Sequence, residues 1–151
     1  MDNSTRPLPR ILYIEDNADA RSLVRRLMVG RYQMLEANNP IEGMRLAAET
    51  QPDLVLLDMH LPGMNGYDTA SRLVEILHPG TPVVALTAES IPDIRERALA
   101  AGFSGLLDKP INIDSFYEAI NAFLHGKREK PSDPANPSGG PRPQRTSPSS
   151  I

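Results

Sequence analysis

The chain has 151 residues, a formal net charge of −3, no cysteine and a hydrophobic content of 40%. That length allows one ordinary domain with room for a tail, and the apolar content can supply a core for roughly 120 residues. The missing cysteines exclude a disulfide framework and thiolate chemistry. The mild acidity argues against a nucleic-acid binder, and no apolar run approaches the ~20 residues that span a bilayer. The first residues, Met-Asp-Asn-Ser-Thr-Arg-Pro, contain no apolar signal-peptide core. A cytoplasmic location is the expectation.

Residues 1–9 are polar, carry Pro7 and Pro9, and are expected to form a flexible arm. Arg10–Ile14 is an apolar strand that ends on the acids Glu15 and Asp16. Ala20, Leu23, Val24, Leu27 and Met28 recur at helical spacing after the cap-type residues Asn17 and Asp19, and Gly30 stops the helix. Tyr32–Ala37 mixes Gln33 and Glu36 with Met34 and Leu35, as a less buried edge strand does. Asn39-Pro40-Ile41-Glu42 starts a second helix: Asn39 caps, Pro40 suits the first helical position, and Glu42 completes a capping box. Ile41, Met44 and Ala48 are expected on its buried face.

Pro52 then precedes the unbroken run Leu54–Leu57, which ends on Asp58 and the breakers Pro62, Gly63 and Gly66. A short apolar run between such breakers reads as a strand buried on both faces of a parallel sheet. Tyr67, Ala70, Leu73, Val74 and Leu77 mark a third helix, terminated by Pro79-Gly80. Pro82–Leu86 is a fourth strand ending at Thr87. Ser90-Ile91-Pro92-Asp93 is a capping signature for a helix that buries Ile94, Ala98 and Ala101. Gly105–Leu107 is a fifth strand, followed by Asp108-Lys109-Pro110, and Phe116, Ile120, Phe123 and Leu124 mark the last helix. Met28, Met34 and Met44 fit core filling.

Strands alternating with helices at this spacing imply a (βα)5 doubly wound α/β fold, flavodoxin-like, with a parallel five-stranded sheet in the order 2-1-3-4-5. The folded domain is expected over residues 10–125. From Gly126 to Ile151 the composition shifts to six prolines and five serines, with no large apolar residue before Ile151. Such a segment cannot bury enough surface to fold and is read as a disordered tail. Its five basic and two acidic residues carry +3, which leaves about −6 on the remainder.

The chemistry concentrates at the carboxyl ends of the strands, where open parallel sheets hold their ligands. The first strand delivers Glu15 and Asp16, the third Asp58, the fourth Thr87 and the fifth Lys109. With strands about 4.8 Å apart, Asp16 and Asp58 are expected to face each other across one strand spacing. Carboxylates that close repel and raise one another's pKa. A hard divalent cation resolves the conflict, and Mg²⁺ is typically held by one or two carboxylates plus a phosphate. Lys109 adds a second positive charge and Thr87 a hydroxyl donor. Together they suit a phosphoryl group, whose transfer depends on positioning and charge neutralisation. Asp58 is placed to accept it as an aspartyl phosphate.

Other phosphate chemistries fit less well. The Ser/Thr/Gly-rich loop of a flavodoxin-like phosphate site is replaced by Glu15-Asp16-Asn17. A Walker loop and a Gly-x-Gly-x-x-Gly fingerprint are both absent. Neither the Asp-x-Asp pair of haloacid-dehalogenase-like phosphatases nor that of topoisomerase-primase-type nucleases is present, the third strand giving Asp58-Met59-His60.

The acid pair, Asp58 with the loop Met59–Gly66, Thr87-Ala88 and Lys109-Pro110, occurring in this order, resemble the receiver domain of two-component response regulators, including the single-domain chemotaxis regulator. The resemblance covers about residues 10–125. It implies that Asp58 accepts a phosphoryl group from a phosphohistidine on a histidine kinase or a histidine phosphotransfer protein. It implies Mg²⁺ bound directly by Asp16 and through water by Glu15, with Asp58 and the backbone carbonyl of His60 completing the ligands. Lys109 would pair with the phosphoryl oxygens, Thr87 would bond to them and report their arrival, and the bond before Pro110 would be cis.

The chain departs from the family pattern at Leu106, where the family commonly carries Tyr or Phe three residues before the lysine. The readout is therefore expected either in helix and loop shifts around Thr87–Ala101 or to be weaker. His60 and Glu89 fall where the family tunes hydrolysis rate. The implied function is a phosphorylation-switched module that changes contacts with a downstream protein target, on the face of segments 91–101, 105–107 and 113–124. The alternatives are a receiver segment of a larger hybrid histidine kinase, or a Mg²⁺-dependent small-molecule phosphatase or phosphotransferase.

Overall fold

A computed structural model describes residues 7–61, 65–88 and 92–126. Strand and helix alternate throughout: β1 (Arg10–Ile14), α1 (Ala18–Met28), β2 (Gln33–Ala37), α2 (Pro40–Thr50), β3 (Leu54–Asp58), α3 (Gly66–Ile76), β4 (Val83–Thr87), α4 (Pro92–Ala101), β5 (Gly105–Asp108) and α5 (Ile113–Leu124). The strands form one sheet in the order β2-β1-β3-β4-β5, with every neighbouring pair parallel, as the sequence predicts. All their carboxyl ends therefore lie along one rim.

The central strands β3 and β4 are buried at every position. Two apolar layers sandwich the sheet. Leu12, Ile14, Val55, Leu57 and Ala85 pack with Ala47, Leu73, Ala98 and Phe103 on one side. Ile11, Tyr13, Leu54, Leu56, Val84 and Leu86 pack with Val24, Leu27, Phe116 and Ile120 on the other. The odd–even split along each strand is the period-2 alternation of pleated backbone. β2, at the edge, is buried only at Ala37.

The helix starts follow their capping chemistry. Asn17 accepts from the Ala20 amide, Asn39 from Glu42, Asn65 from Tyr67 and Asp68, and Asn112 from Ser115, which satisfies amides that a helix's first turn leaves unpaired. The Glu42 side chain does not close the expected capping box. Its carboxylate pairs with Arg45, which also pairs with Glu49.

The buried face of α2 also differs from expectation. Ile41 is 66% exposed and Ala48 is exposed, whereas Pro40, Gly43 and Ala47 are buried. The reason lies across the interface. A Cβ on Gly43 would stand 2.4 Å from Ile14 Cδ1, so the glycine lets the helix approach β1 and sets which stripe turns inward. Leu23 and Val74, placed in apolar stripes from sequence, are 50% and 43% exposed. α2 ends at Gln51 with φ of 47°, a left-handed conformation uncommon for a residue with a Cβ. Its side chain compensates by donating to the Ile76 carbonyl at 3.0 Å and accepting from the His78 amide at 2.9 Å.

The predicted cap at Ser90-Ile91, the loop residues Pro62, Gly63 and Met64, Glu89, and the tail from residue 127 lie outside the described residues, as do residues 1–6. Among the described residues, no helix is long and apolar enough to cross a membrane.

Candidate functional site

The rim formed by the strand ends gathers the charged residues singled out from sequence. Ile14 pairs with Leu57 across β1 and β3, so the next residues in register are Glu15 and Asp58. Glu15 continues that register opposite Asp58, and Asp16, one residue further on, is exposed. All three still meet, with one carboxylate oxygen from each of Glu15, Asp16 and Asp58 lying within 4.8 Å of the others.

Glu15 and Asp58 are 2% and 3% exposed, an expensive place for charge unless it is paired. The pairing is supplied from β5. Lys109 Nζ lies 3.2 Å from Asp58 Oδ1 and 3.7 Å from Glu15 Oε1. Its backbone is held by its amide, which donates to the Thr87 carbonyl at 2.9 Å, and the following bond to Pro110 is cis as expected. The His60 amide donates to Asp58 Oδ1 at 3.0 Å, and the Asn17 amide to Glu15 Oε2, also at 3.0 Å. Thr87 closes β4, 1% exposed and one register position beyond the Asp58–Leu86 pair. Leu106, at the position where an aromatic residue was absent, is half-buried and packs against the apolar layer beneath α4.

The two buried carboxylates are unequal. Burial first, and then its hydrogen bond with Asp58, push the Glu15 carboxyl up to about 7. Burial acts in the same sense on Asp58, but the hydrogen bond with Glu15, the His60 amide and Lys109 outweigh it and hold Asp58 below the ordinary carboxylate range. Near neutrality a proton shared by the pair therefore resides on Glu15, and Asp58 is the ionised partner. An ionised carboxylate is the form that attacks an electrophile.

Two contacts were not foreseen from sequence. Tyr13, 1% exposed, donates its hydroxyl to Glu15 Oε1 at 3.2 Å. Burial, followed by the charges of Glu15 and Asp58, drives its pKa upward, so the phenol stays a donor. Arg21 Nη1 donates to the Glu15 carbonyl at 2.7 Å while its Nε pairs with Glu36 at 3.2 Å. The available signal was positional. Tyr13 sits two residues before Glu15, and residues two apart on a strand share a face.

The donor set is all oxygen and carboxylate-rich, which suits a hard cation rather than a thiophilic one. Opposite ligands of an octahedral Mg²⁺ stand about 4.2 Å apart, and the three oxygens here lie within 4.8 Å of one another. With Asp16 exposed, the cluster is open to solvent on one side, where an ion could keep waters and meet a phosphoryl oxygen. The residues fit the ion.

This fold with this rim defines a class. Residues 11–121 match the family model of the response regulator receiver domain, and the chain belongs to that family. It is 32% identical over 118 residues to the polar-differentiation response regulator DivK of Brucella anthropi, covering 76% of this chain and 94% of that one. It is 34% identical over 114 residues to the sensor histidine kinase AruS of Pseudomonas aeruginosa, covering 73% of this chain but only 11% of the length of that kinase. Among solved structures, a LuxR-family two-component response regulator from an Aurantimonas species superposes with a TM-score of 0.74 at 30% identity, over 85% of this chain and 94% of that one. The receiver domain of a Pseudomonas aeruginosa sensor histidine kinase, solved with magnesium coordinated in its active-site cleft, shares the fold with a TM-score of 0.69 at 24% identity, over 78% and 98%.

Proposed function

We propose that residues 10–125 form a phosphorylation-switched receiver module that takes a phosphoryl group onto Asp58 from a phosphohistidine of a histidine kinase or phosphotransfer protein. The observation that carries this reading is the convergence of Glu15, Asp16 and Lys109 on one ionised, nearly buried aspartate at the carboxyl rim. In the transfer, an Asp58 carboxylate oxygen forms the new P–O bond as the donor's P–N bond breaks. The bonding pair leaves with the imidazole nitrogen, which is protonated. Asp16, Asp58, the His60 carbonyl and, through water, Glu15 would hold Mg²⁺, whose charge would offset that of the incoming phosphoryl oxygens. Lys109 would leave its ion pair with Asp58 for those oxygens, and the Thr87 hydroxyl would hydrogen-bond to them.

The site acts once per chain and does not turn over a small substrate. Its output is altered protein contact in the cytoplasm, with residues 1–9 and 126–151 as flanking segments and no nucleic acid engaged directly. The output face is the one bearing α4, β5 and α5. There Leu106, Leu107, Pro110, Ile111 and Phe116 line a groove. A second reading, a receiver segment of a larger hybrid histidine kinase, is favoured by the match to a short stretch of such a kinase.

The test is incubation of the full chain with acetyl phosphate and Mg²⁺, followed by intact-mass spectrometry. One base-labile phosphoryl adduct is expected, dependent on Mg²⁺ and lost in Asp58→Asn. The same adduct persisting in Asp58→Asn would refute the assignment. Multiple turnover of a free phosphate ester would favour a small-molecule phosphatase instead.

A further inference from the structure

The phosphoryl-transfer reading assigns no role to Tyr13, yet the placement of that residue is specific. Along β1 the side chains alternate between the two apolar layers: Leu12 and Ile14 enter one, Ile11 and Tyr13 the other. The Tyr13 ring lies among Val24, Leu56, Leu86 and Phe116, which carry no polar side-chain atom. Phenylalanine would fill this space without burying a hydroxyl, and burial of an unpaired hydroxyl is costly. The hydroxyl finds its partner at the strand end, in Glu15 Oε1 at 3.2 Å.

Glu15 is thereby held at three points. Tyr13 takes one carboxylate oxygen, the Asn17 amide takes the other at 3.0 Å, and Arg21 grips the backbone carbonyl at 2.7 Å. Without Tyr13, Oε1 would lose that neutral donor and face the Lys109 ammonium at 3.7 Å, with the acids Asp16 and Asp58 beside it. The carboxyl group could then rotate out of the orientation in which its oxygen meets those of Asp16 and Asp58.

We infer that Tyr13 is a positioning residue for the divalent cation, its buried hydroxyl fixing the Glu15 carboxyl in the orientation that keeps the three-acid cluster assembled. This rests on the reading of the cluster as a Mg²⁺ site. Partners that orient a metal's ligands typically contribute tenfold or more to affinity. The hydroxyl is the only atom that distinguishes tyrosine from phenylalanine here, so its contribution can be isolated.

The experiment is calorimetric titration of MgCl₂ into the full chain at about pH 8, using wild type, Tyr13→Phe, Glu15→Ala and the double variant. Tyr13→Phe is expected to weaken Mg²⁺ binding about tenfold. In the Glu15→Ala background, where Tyr13 has no side-chain oxygen to hold, the same change is expected to do almost nothing, because the cycle isolates the Tyr13–Glu15 coupling. A Tyr13→Phe affinity within about twofold of wild type would overturn the inference. So would an equal loss in both backgrounds, which would make Tyr13 a packing residue only. Absence of Mg²⁺ binding by the wild-type chain would overturn the metal-site reading itself, so the two failures are distinguishable.

Discussion

Because Glu15 is pushed up to about 7 in the metal-free protein, Mg²⁺ binding should carry a defined proton cost. The cation needs ionised carboxylates, so binding must expel the proton that Glu15 holds. At about pH 6, one unit below that value, Glu15 is mostly protonated, and displacing the proton costs about 1.4 kcal/mol, a factor of about ten. At about pH 8 the cost nearly vanishes. The sign follows: binding releases a proton, so apparent affinity rises with pH, about tenfold across this interval, and levels off above it. Calorimetry at constant ionic strength in two buffers of different ionisation enthalpy would measure both the affinity and the protons released. Glu15→Gln should bind more weakly at about pH 8 but lose most of the slope. A wild-type affinity that stays flat between about pH 6 and pH 8 would refute the reasoning, and so would an unchanged slope in Glu15→Gln.

Three further outcomes are expected. Lys109→Ala removes a cation 3.2 Å from Asp58 and should strengthen Mg²⁺ binding by roughly two- to fivefold, the size expected for a partly solvated charge pair. Titration of that variant at low salt checks it, with unchanged or weaker binding as the contrary result. Gly43→Ala would place a Cβ 2.4 Å from Ile14 Cδ1 and should cost about 1–3 kcal/mol from overpacking, reduced by the roughly 1 kcal/mol that alanine gains in a helix. Ile14→Ala removes both crowded carbons, Cδ1 and Cγ1, so thermal unfolding of the double variant should show the two changes to be non-additive. Glu36 is held below its ordinary pKa mainly by its hydrogen bond to Arg25, with Arg21 assisting. Its contribution to stability is present in full above the unfolded value of 4.5 and is lost as pH falls through the lower folded value. Glu36→Gln should therefore flatten the acid limb of a stability–pH curve while changing little below it.

The fold was legible because β1, β3 and β4 are apolar runs bounded by proline, glycine or acid, and a strand buried on both faces leaves such a pattern. The site was legible because parallel strands bring their ends to one rim, so residues as distant in sequence as Glu15 and Lys109 could be placed together from topology alone. The parts that were not legible depend on atoms meeting across elements. Which stripe of α2 turns inward is decided by Ile14 meeting Gly43, and helical spacing cannot report that. Glu42 chooses Arg45 over its own helix cap, a competition between two local partners that spacing leaves open. Tyr13 was counted as one more apolar residue in a strand, because the orientation of its hydroxyl becomes visible only once Glu15 has a position.

The parallel sheet also has an opposite rim. Pro7 and Leu8 line the same cleft as Leu124 and His125, beside Arg10 and Asp53, which mark the starts of β1 and β3. The first and last described residues of the domain thus share one pole, a strand's length from the acids. An affinity handle, fluorescent protein or surface tether fused directly at Pro7 or His125 would attach at that pole, away from the carboxylates. Splicing Pro7 to Gly126 through a short linker and reopening the chain at an exposed turn such as Pro79-Gly80 is a natural design for a rearranged version.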